Sequence, residues 1–378
     1  MQVIGVRNVH HALPTALWLL KEHGTTRPSR NGDVRVMLEP VTTMYERPRE
    51  RVLFWPQRDA NPFFHLYEAL WMLGGKNDVS SVAYFAKNMA NYSDDGKTFH
   101  GAYGYRWRRQ FQFDQLATIA AALKDDSTDR RQVLQMWDST TDLRNQRGKK
   151  DVPCNLVAHF QVNPLGSLDM TVFNRSNDIV WGCYGANAVH FSVLQEVMAT
   201  WIGVPVGKYW QVSDNWHAYL DTMKPLMELT ELCPMEQAAK FAPSRIVSPY
   251  GAPRMSPDDV APGLEMEASP FRIVNTPIDV WMDDLMVFLH HGHTMGYKDV
   301  FFNKVASPMV QAFGHYKDGD LSLAMQVAQS VMATDWRLAA TQWIQRRIDT
   351  RMRRQLEQEL AEAQRKKKAE DDGVTEYE

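Results

Sequence analysis

Apolar residues recur at helical spacing over residues 62–73, where Phe63, Leu66, Ala69, Leu70 and Leu73 share one face and Gly74-Gly75 mark a stop. A helix is expected there, with Glu68 set among aromatic and aliphatic neighbours. Residues 114–123 predict a second helix, and residues 187–202 a long, mostly apolar one that follows the glycine-rich turn Gly182-Cys183-Tyr184-Gly185. Strands are expected over 131–137, 156–162, 168–173 and 204–212, with Asn163-Pro164-Leu165-Gly166 as the turn between the second and third. Residues 215–226 read as a further helix. The elements mix without a βα repeat, so the pattern predicts an α+β fold rather than a doubly wound sheet. The proline-dense segment 242–277 reads as a long surface excursion. Toward the C-terminus, Ile344, Ile348, Met352, Leu356 and Leu360 recur at every fourth position through a charged segment, which predicts a protruding helix with one apolar stripe. The division that follows is a catalytic body over 1–340 and a charged helical tail over 341–378.

Composition narrows the function classes. A chain of 378 residues buries about three quarters of its unfolded surface, enough for a core without metals or disulfides. Forty-two basic and 45 acidic residues give a net charge of -3. That balance offers no general attraction for polyanions, so a dedicated nucleic-acid binder is disfavoured and any phosphate must be held by particular residues. Cys154, Cys183 and Cys233 are an odd, widely spaced set with no C-x-x-C pair, which fits a reducing cytoplasm. The apolar stretch 12–20 is interrupted by Pro14 and followed by no small-residue cleavage site, so it does not read as a signal peptide; nothing approaches membrane-spanning length.

The chain carries no phosphate-loop, dinucleotide, nucleophile-elbow or H-E-x-x-H motif. His290, His291 and His293 could converge on a metal ion, but as a helix-end group they equally suit the negative end of a helix dipole, and no metal site is assigned. The informative stretch is 151–219. A lone cysteine is by default a small buried hydrophobe. Cys154, however, keeps company with Arg175 and the pair Arg130-Arg131, cations able to bind phosphate and to lower a nearby thiol's pKa. Arg175 and Ser176 together supply a guanidinium fork and a hydroxyl for a phosphate.

These residues sit in segments that resemble the thymidylate synthase superfamily, which includes the pyrimidine nucleotide hydroxymethylases of bacteriophages. Phe64-His65-Leu66-Tyr67-Glu68-Ala69-Leu70-Trp71-Met72-Leu73-Gly74-Gly75 resembles the family's glutamate helix. Gly101-Ala102-Tyr103-Gly104-Tyr105-Arg106-Trp107-Arg108 resembles its Y-G-x-x-W-R segment, and Asp129-Arg130-Arg131 with Trp137 its double-arginine strand. Pro153-Cys154 resembles the nucleophile segment and Arg175-Ser176-Asn177-Asp178 the R-S-x-D run; Asn187 and His217-x-Tyr219 complete the ordered series. The resemblance implies a thymidylate synthase-like fold, with a mixed central sheet packed by helices and one sheet face used for dimerisation. It implies 5,10-methylenetetrahydrofolate as cofactor. Cys154 would add to C6 of the pyrimidine, Glu68 would relay protons to the ring carbonyl, and Tyr103 would assist removal of the C5 proton. Arg175, Ser176 and Arg30 would hold the 5'-phosphate, with Arg130 and Arg131 reaching it from the other subunit of a homodimer. His217 and Tyr219 would bind the sugar hydroxyl, while Asp178, Gly182 and Tyr92 would face the folate.

Departures from the family pattern bear on the product. Asn155 follows the nucleophile where the family usually has histidine, one extra residue separates Asp178 from Asn187, Tyr92 stands where a tryptophan is usual, and the tail is charged. Hydride transfer to the bound one-carbon unit needs a dry pocket, and these substitutions favour addition of water instead. The Asn187 amide, a donor and an acceptor together, matches uracil rather than cytosine. The expected reaction is hydroxymethylation of dUMP in a cytoplasm, that of the host if the chain is phage-encoded. Thymidylate synthesis and dCMP hydroxymethylation are the near alternatives; a metal-dependent phosphohydrolase and a non-catalytic nucleotide-binding protein are the distant ones.

Overall fold

The computed structural model describes residues 1–144, 148–232, 270–294 and 296–374. Cys233 and residues 242–269 of the proline-dense segment lie outside the described residues. Strand β1 (Gln2–Val6) leads into helix α1 (Val9–His23), whose buried face is the 12–20 apolar stretch. Strands β2 (Thr25–Arg27), β3 (Val34–Val36) and β4 (Val41–Tyr45) precede helices α2 (Pro62–Leu73) and α3 (Val79–Phe85). After α4 (Gln115–Asp125) come β5 (Val133–Gln135), β6 (Asn155–Val162), β7 (Leu168–Asp178), α5 (Asn187–Ile202) and β8 (Val206–Tyr219). The rest is helical: α6 (Ile278–His291), α7 (Ser307–Lys317), α8 (Leu321–Gln329) and α9 (Thr334–Val374).

The strands form one mixed sheet in the order β1-β4-β8-β7-β6-β5, with β3 also paired to β8 and β2 to β3. β7 and β8 run parallel from Leu168↔Val206 to Asp178↔His217, and both outrun their sequence periodicity. The helix expected over 215–226 forms only from Leu220 onward. Asn215, Trp216 and His217 continue β8 because Ser176, Asn177 and Asp178 pair with them on one side, while β3 takes His217, Ala218 and Tyr219 on the other. Pairing on two sides overrides local preference; Leu220–Met223 then turns α-helical and Lys224–Leu232 continues as a 3-10 helix. The strand expected over 131–137 shrinks to β5. The glycine-rich turn is one part of a π-helical segment, Ile179–Ala186, that runs into α5. A π-turn is how a helix takes up one extra residue, which accounts for the insertion between Asp178 and Asn187.

Helix α2 starts where Asn61 caps it, its side chain accepting from Phe64 N–H at 3.1 Å with Pro62 at the first turn, and it buries Glu68 along with its apolar face. Helix α5 packs against both α2 and the sheet, and Phe191 on it touches the rings of Tyr103 and Trp107. Tyr103 is fixed from two directions. A Cβ at Gly104 would stand 1.9 Å from the Met72 carbonyl oxygen, so only glycine lets that turn sit on the end of α2. Arg106, fully buried, makes paired bonds to Asp142 at 2.7 and 2.9 Å and one to Met136 O at 2.7 Å.

The first turns of α9 belong to the core: Trp343 meets Phe63, Phe313 and Tyr316, and the helix passes residues 340 and 341 without a break. Farther on, Met352, Leu356 and Leu360 are exposed. Among the described residues no helix is long and apolar enough to cross a membrane. Replacing Arg106 with methionine takes the guanidinium away from the buried Asp142 carboxylate, which keeps its contacts with His100 and the Asp138 N–H. Breaking a buried pair from one side costs about 3–5 kcal/mol, so Arg106→Met is expected to lower unfolding free energy by that amount in urea titration, with an unchanged m-value.

Candidate active site

Cys154 stands at the head of β6 on a turn braced by Arg175. The Arg175 side chain donates to Pro153 O at 2.8 Å and to Val152 O at 3.0 Å, and its backbone N–H donates to Cys154 O at 2.9 Å. Its guanidinium lies 5.9 Å from the Trp137 ring centroid. The Tyr103 hydroxyl accepts from the backbone N–H of Cys154 at 2.9 Å and of Asn155 at 3.2 Å, which sets that oxygen beside the nucleophile. Arg30 donates to Lys149 O at 3.0 Å and contributes to the positive field at the sulfur. The arginines were expected to lower the thiol's pKa. Arg175 and Arg30 do pull it down, but burial, reinforced by Asp151, outweighs them, so the pKa is raised and the neutral thiol is favoured. Burial likewise raises the Tyr103 phenol.

Three amides run away from Cys154. Asn155, fully buried, donates to Asn187 Oδ1 at 3.3 Å; Asn187 donates to Asn177 Oδ1 at 3.1 Å; Asn177 donates to Ser213 Oγ at 3.0 Å and Gln211 Oε1 at 3.3 Å. Gly182 closes over this chain: a Cβ there would lie 2.9 Å from Asn177 Oδ1. The structure therefore fixes Asn187 by its neighbours and gives Gly182 a packing role. Asn177 and Gln211 were missed in the sequence, where the available signal was three asparagines flanking the matched segments.

Asp178 caps the π-helical segment, accepting from Trp181 N–H at 2.9 Å and Val180 N–H at 3.4 Å, and burial raises its pKa against those bonds and against His217 and Arg58. Arg58 donates to Val180 O at 2.7 Å and stacks 4.3 Å from the centroid of the exposed Trp181 ring; burial lowers its pKa to about 10. Sequence reasoning missed both residues. Parallel pairing places half-buried Ser176 opposite Asn215 and brings His217 beside Asp178. The rings of His217 and Tyr219 meet edge-on at 5.5 Å, and the Tyr219 hydroxyl accepts from Asn31 at 3.5 Å. Glu68, on α2, lies 3.0 Å from His190 on α5.

Other expected residues stand apart. Arg130 and Arg131 are exposed, and Arg131 is paired with Asp129 at 2.8 Å. Tyr92 is half exposed at the end of the short turn Lys87–Tyr92. His290 and His291 end α6, and among the described residues no group of three or more His, Cys, Asp or Glu is arranged to hold a metal ion.

The family model described as thymidylate synthase matches residues 19–242. The chain is 48% identical over 378 residues, 99% of each chain, to a protein of Pseudomonas phage M6 named deoxyuridylate hydroxymethyltransferase. It is 40% identical over 194 residues to a protein of the same name from Bacillus phage SP01, covering 49% of this chain and 50% of that one. It is 25% identical over 208 residues to a thymidylate synthase of Streptococcus pyogenes, covering 53% and 68% respectively.

A raised thiol pKa has a direct readout. Iodoacetamide labelling of Cys154 in the ligand-free protein, mapped by peptide mass spectrometry, is expected to accelerate with pH through and beyond about 8.5, the ordinary thiol value. Arg175→Ala should move the profile higher still. A rate that levels off near pH 7 would contradict the burial argument.

Proposed function

Because the chain belongs to the thymidylate synthase family, we propose that it hydroxymethylates dUMP at C5, consuming 5,10-methylenetetrahydrofolate and water and releasing 5-hydroxymethyl-dUMP and tetrahydrofolate. The observation that carries this reading is the thiol of Cys154 beneath the Tyr103 hydroxyl, joined through Asn155 to the Asn187 amide. Full-length similarity to a phage deoxyuridylate hydroxymethyltransferase favours this reaction over methylation.

The residues fit the folate. Half-buried Asp178 offers a carboxyl to pterin N–H groups, and the exposed Trp181 indole, rather than Tyr92, offers a flat face beside it. When bound, the folate supplies a one-carbon unit at the oxidation level of formaldehyde. The protein's own groups do the rest. Cys154 Sγ bonds to C6 of the uracil, which moves an electron pair toward C5 and O4. Tyr103 assists loss of the C5 proton, and Glu68 relays protons to the ring carbonyl. Asn187 reads the O4 acceptor and N3–H donor with an amide whose orientation its neighbours hold. Arg175, whose Nη1 makes no hydrogen bond among the described residues, takes the 5'-phosphate with Ser176 and Arg30. His217 and Tyr219 take the sugar hydroxyl.

Arg130 and Arg131 complete the phosphate site of a second copy in a homodimer, which suits their exposure here. Val133, Val157, Phe173, Trp210 and Val212 share one sheet face by register and are incompletely buried, which supports that face as the dimer contact. A reducing cytoplasm, that of a bacterial host for a phage-encoded chain, suits the free thiol of Cys154.

Mass spectrometry of the nucleotide product decides the reaction. 5-Hydroxymethyl-dUMP with tetrahydrofolate is expected; dTMP with dihydrofolate would return the chain to methylation. Cys154→Ala should lose turnover by on the order of 10^4-fold or more while still binding dUMP. For the dimer, mixing Arg131→Ala with Cys154→Ala protein is expected to restore activity, since half of the heterodimer's sites are then intact. An active enzyme that sediments as a monomer would remove the shared site.

A further inference from the structure

Glu68 and His190 are both buried, on two helices that pack against each other, and Glu68 Oε2 stands 3.0 Å from His190 Nε2. The contact has the distance of an ion pair without the alignment of a hydrogen bond, and neither atom has a hydrogen-bond partner among the described residues. His190 follows Asn187 by three residues on α5, so the two side chains share a face of the helix. One reaches the amide chain beside Cys154 and the other reaches Glu68. His65 precedes Glu68 by three residues on α2; burial first, then Arg58 and His190, hold its imidazole well below its ordinary pKa, so it brings no positive charge. His190 is thus the imidazole in direct contact with Glu68.

We propose that His190 is a positioning residue that aims Glu68 at the water used in hydroxymethylation. The inference rests on the hydroxymethylation reading. Once the one-carbon unit is a methylene on C5 and the folate has left, water must add to that carbon. The water oxygen bonds to the methylene carbon and its proton passes to Glu68. The electron pair of the exocyclic double bond moves onto C5 and O4, then returns to form C5=C6 as the Cys154 thiolate leaves C6. Glu68 can take that proton only if its carboxylate is turned toward the water, and the His190 imidazole packed 3.0 Å from Oε2 supplies that orientation while Oε1 stays free of protein donors among the described residues. A carboxylate without this partner rotates, and the water loses its base.

A thiol such as 2-mercaptoethanol can add to the same methylene in place of water. The ratio of thioether to hydroxymethyl nucleotide then reports the water step alone, since defects in earlier steps change both products equally. In His190→Leu the ratio is expected to rise at least tenfold over wild type at equal thiol concentration, with dUMP affinity by calorimetry within threefold. His190→Gln, which keeps a donor, should recover a good part of the wild-type ratio. An unchanged ratio in His190→Leu, or loss of dUMP binding in both variants, overturns the assignment. Wild-type protein that makes dTMP overturns instead the reaction on which it rests, so the two failures are distinguishable.

Discussion

Parallel pairing of β7 with β8 along their whole length is the constraint on which the site depends. Arg175, Ser176, Asn177 and Asp178 come from one strand, and Asn215, His217 and Tyr219 from the other, so the side chains proposed for phosphate and for sugar come from neighbouring strands. A slip of one residue would turn each of these side chains to the opposite face of the sheet. β3 and β4 grip β8 from its other edge and make such a slip costly. The π-helical segment after Asp178 then reverses the chain so that Asn187 comes back onto Asn177. The nucleotide site is a consequence of register, and the residues that touch substrate add chemistry to a frame already set.

Burial acts on that frame in one direction. Cys154, Tyr103 and Asp178 are all held toward their neutral forms, with desolvation as the largest cause in each case. Arg175, Arg30 and Arg58 oppose it without winning. A site of this kind holds its thiol in the neutral form, and it lets each remaining hydrogen bond act at low dielectric. The same logic explains the amides: Asn155, Asn177 and Gln211 are neutral, satisfy one another, and hold Asn187 without adding a charge that the core would have to solvate.

Much of this was legible in the chain. Helical periodicity located α2 and α4, and the ordered segments singled out Cys154 and Arg175, which the structure brings together. What failed to show were effects of tertiary contact. Nothing local in Asn215, Trp216 and His217 announces a strand, because their extension is set by partners on both sides. His190, Arg58 and Trp181 carry no motif, and each matters only through a residue distant in sequence. The direction of the Cys154 shift needed burial, which no spacing rule contains. Arg130 and Arg131 read correctly as phosphate ligands only if a second copy supplies them, so a single chain leaves them in solvent.

Hydroxymethylation sets a harder problem than methylation, since the pocket must exclude bulk water and still deliver one molecule to one carbon. The polar groups here are divided in a way that suits the task. On the Cys154 side, Asn155, Asn187 and Asn177 are joined to one another by hydrogen bonds. On the α2 side, the Glu68 and His190 atoms that face each other lack hydrogen-bond partners. Unsatisfied buried polar atoms attract water strongly. The asymmetry therefore places the unsatisfied polar atoms, where an added water has most to gain, at the carboxylate rather than beside the thiol.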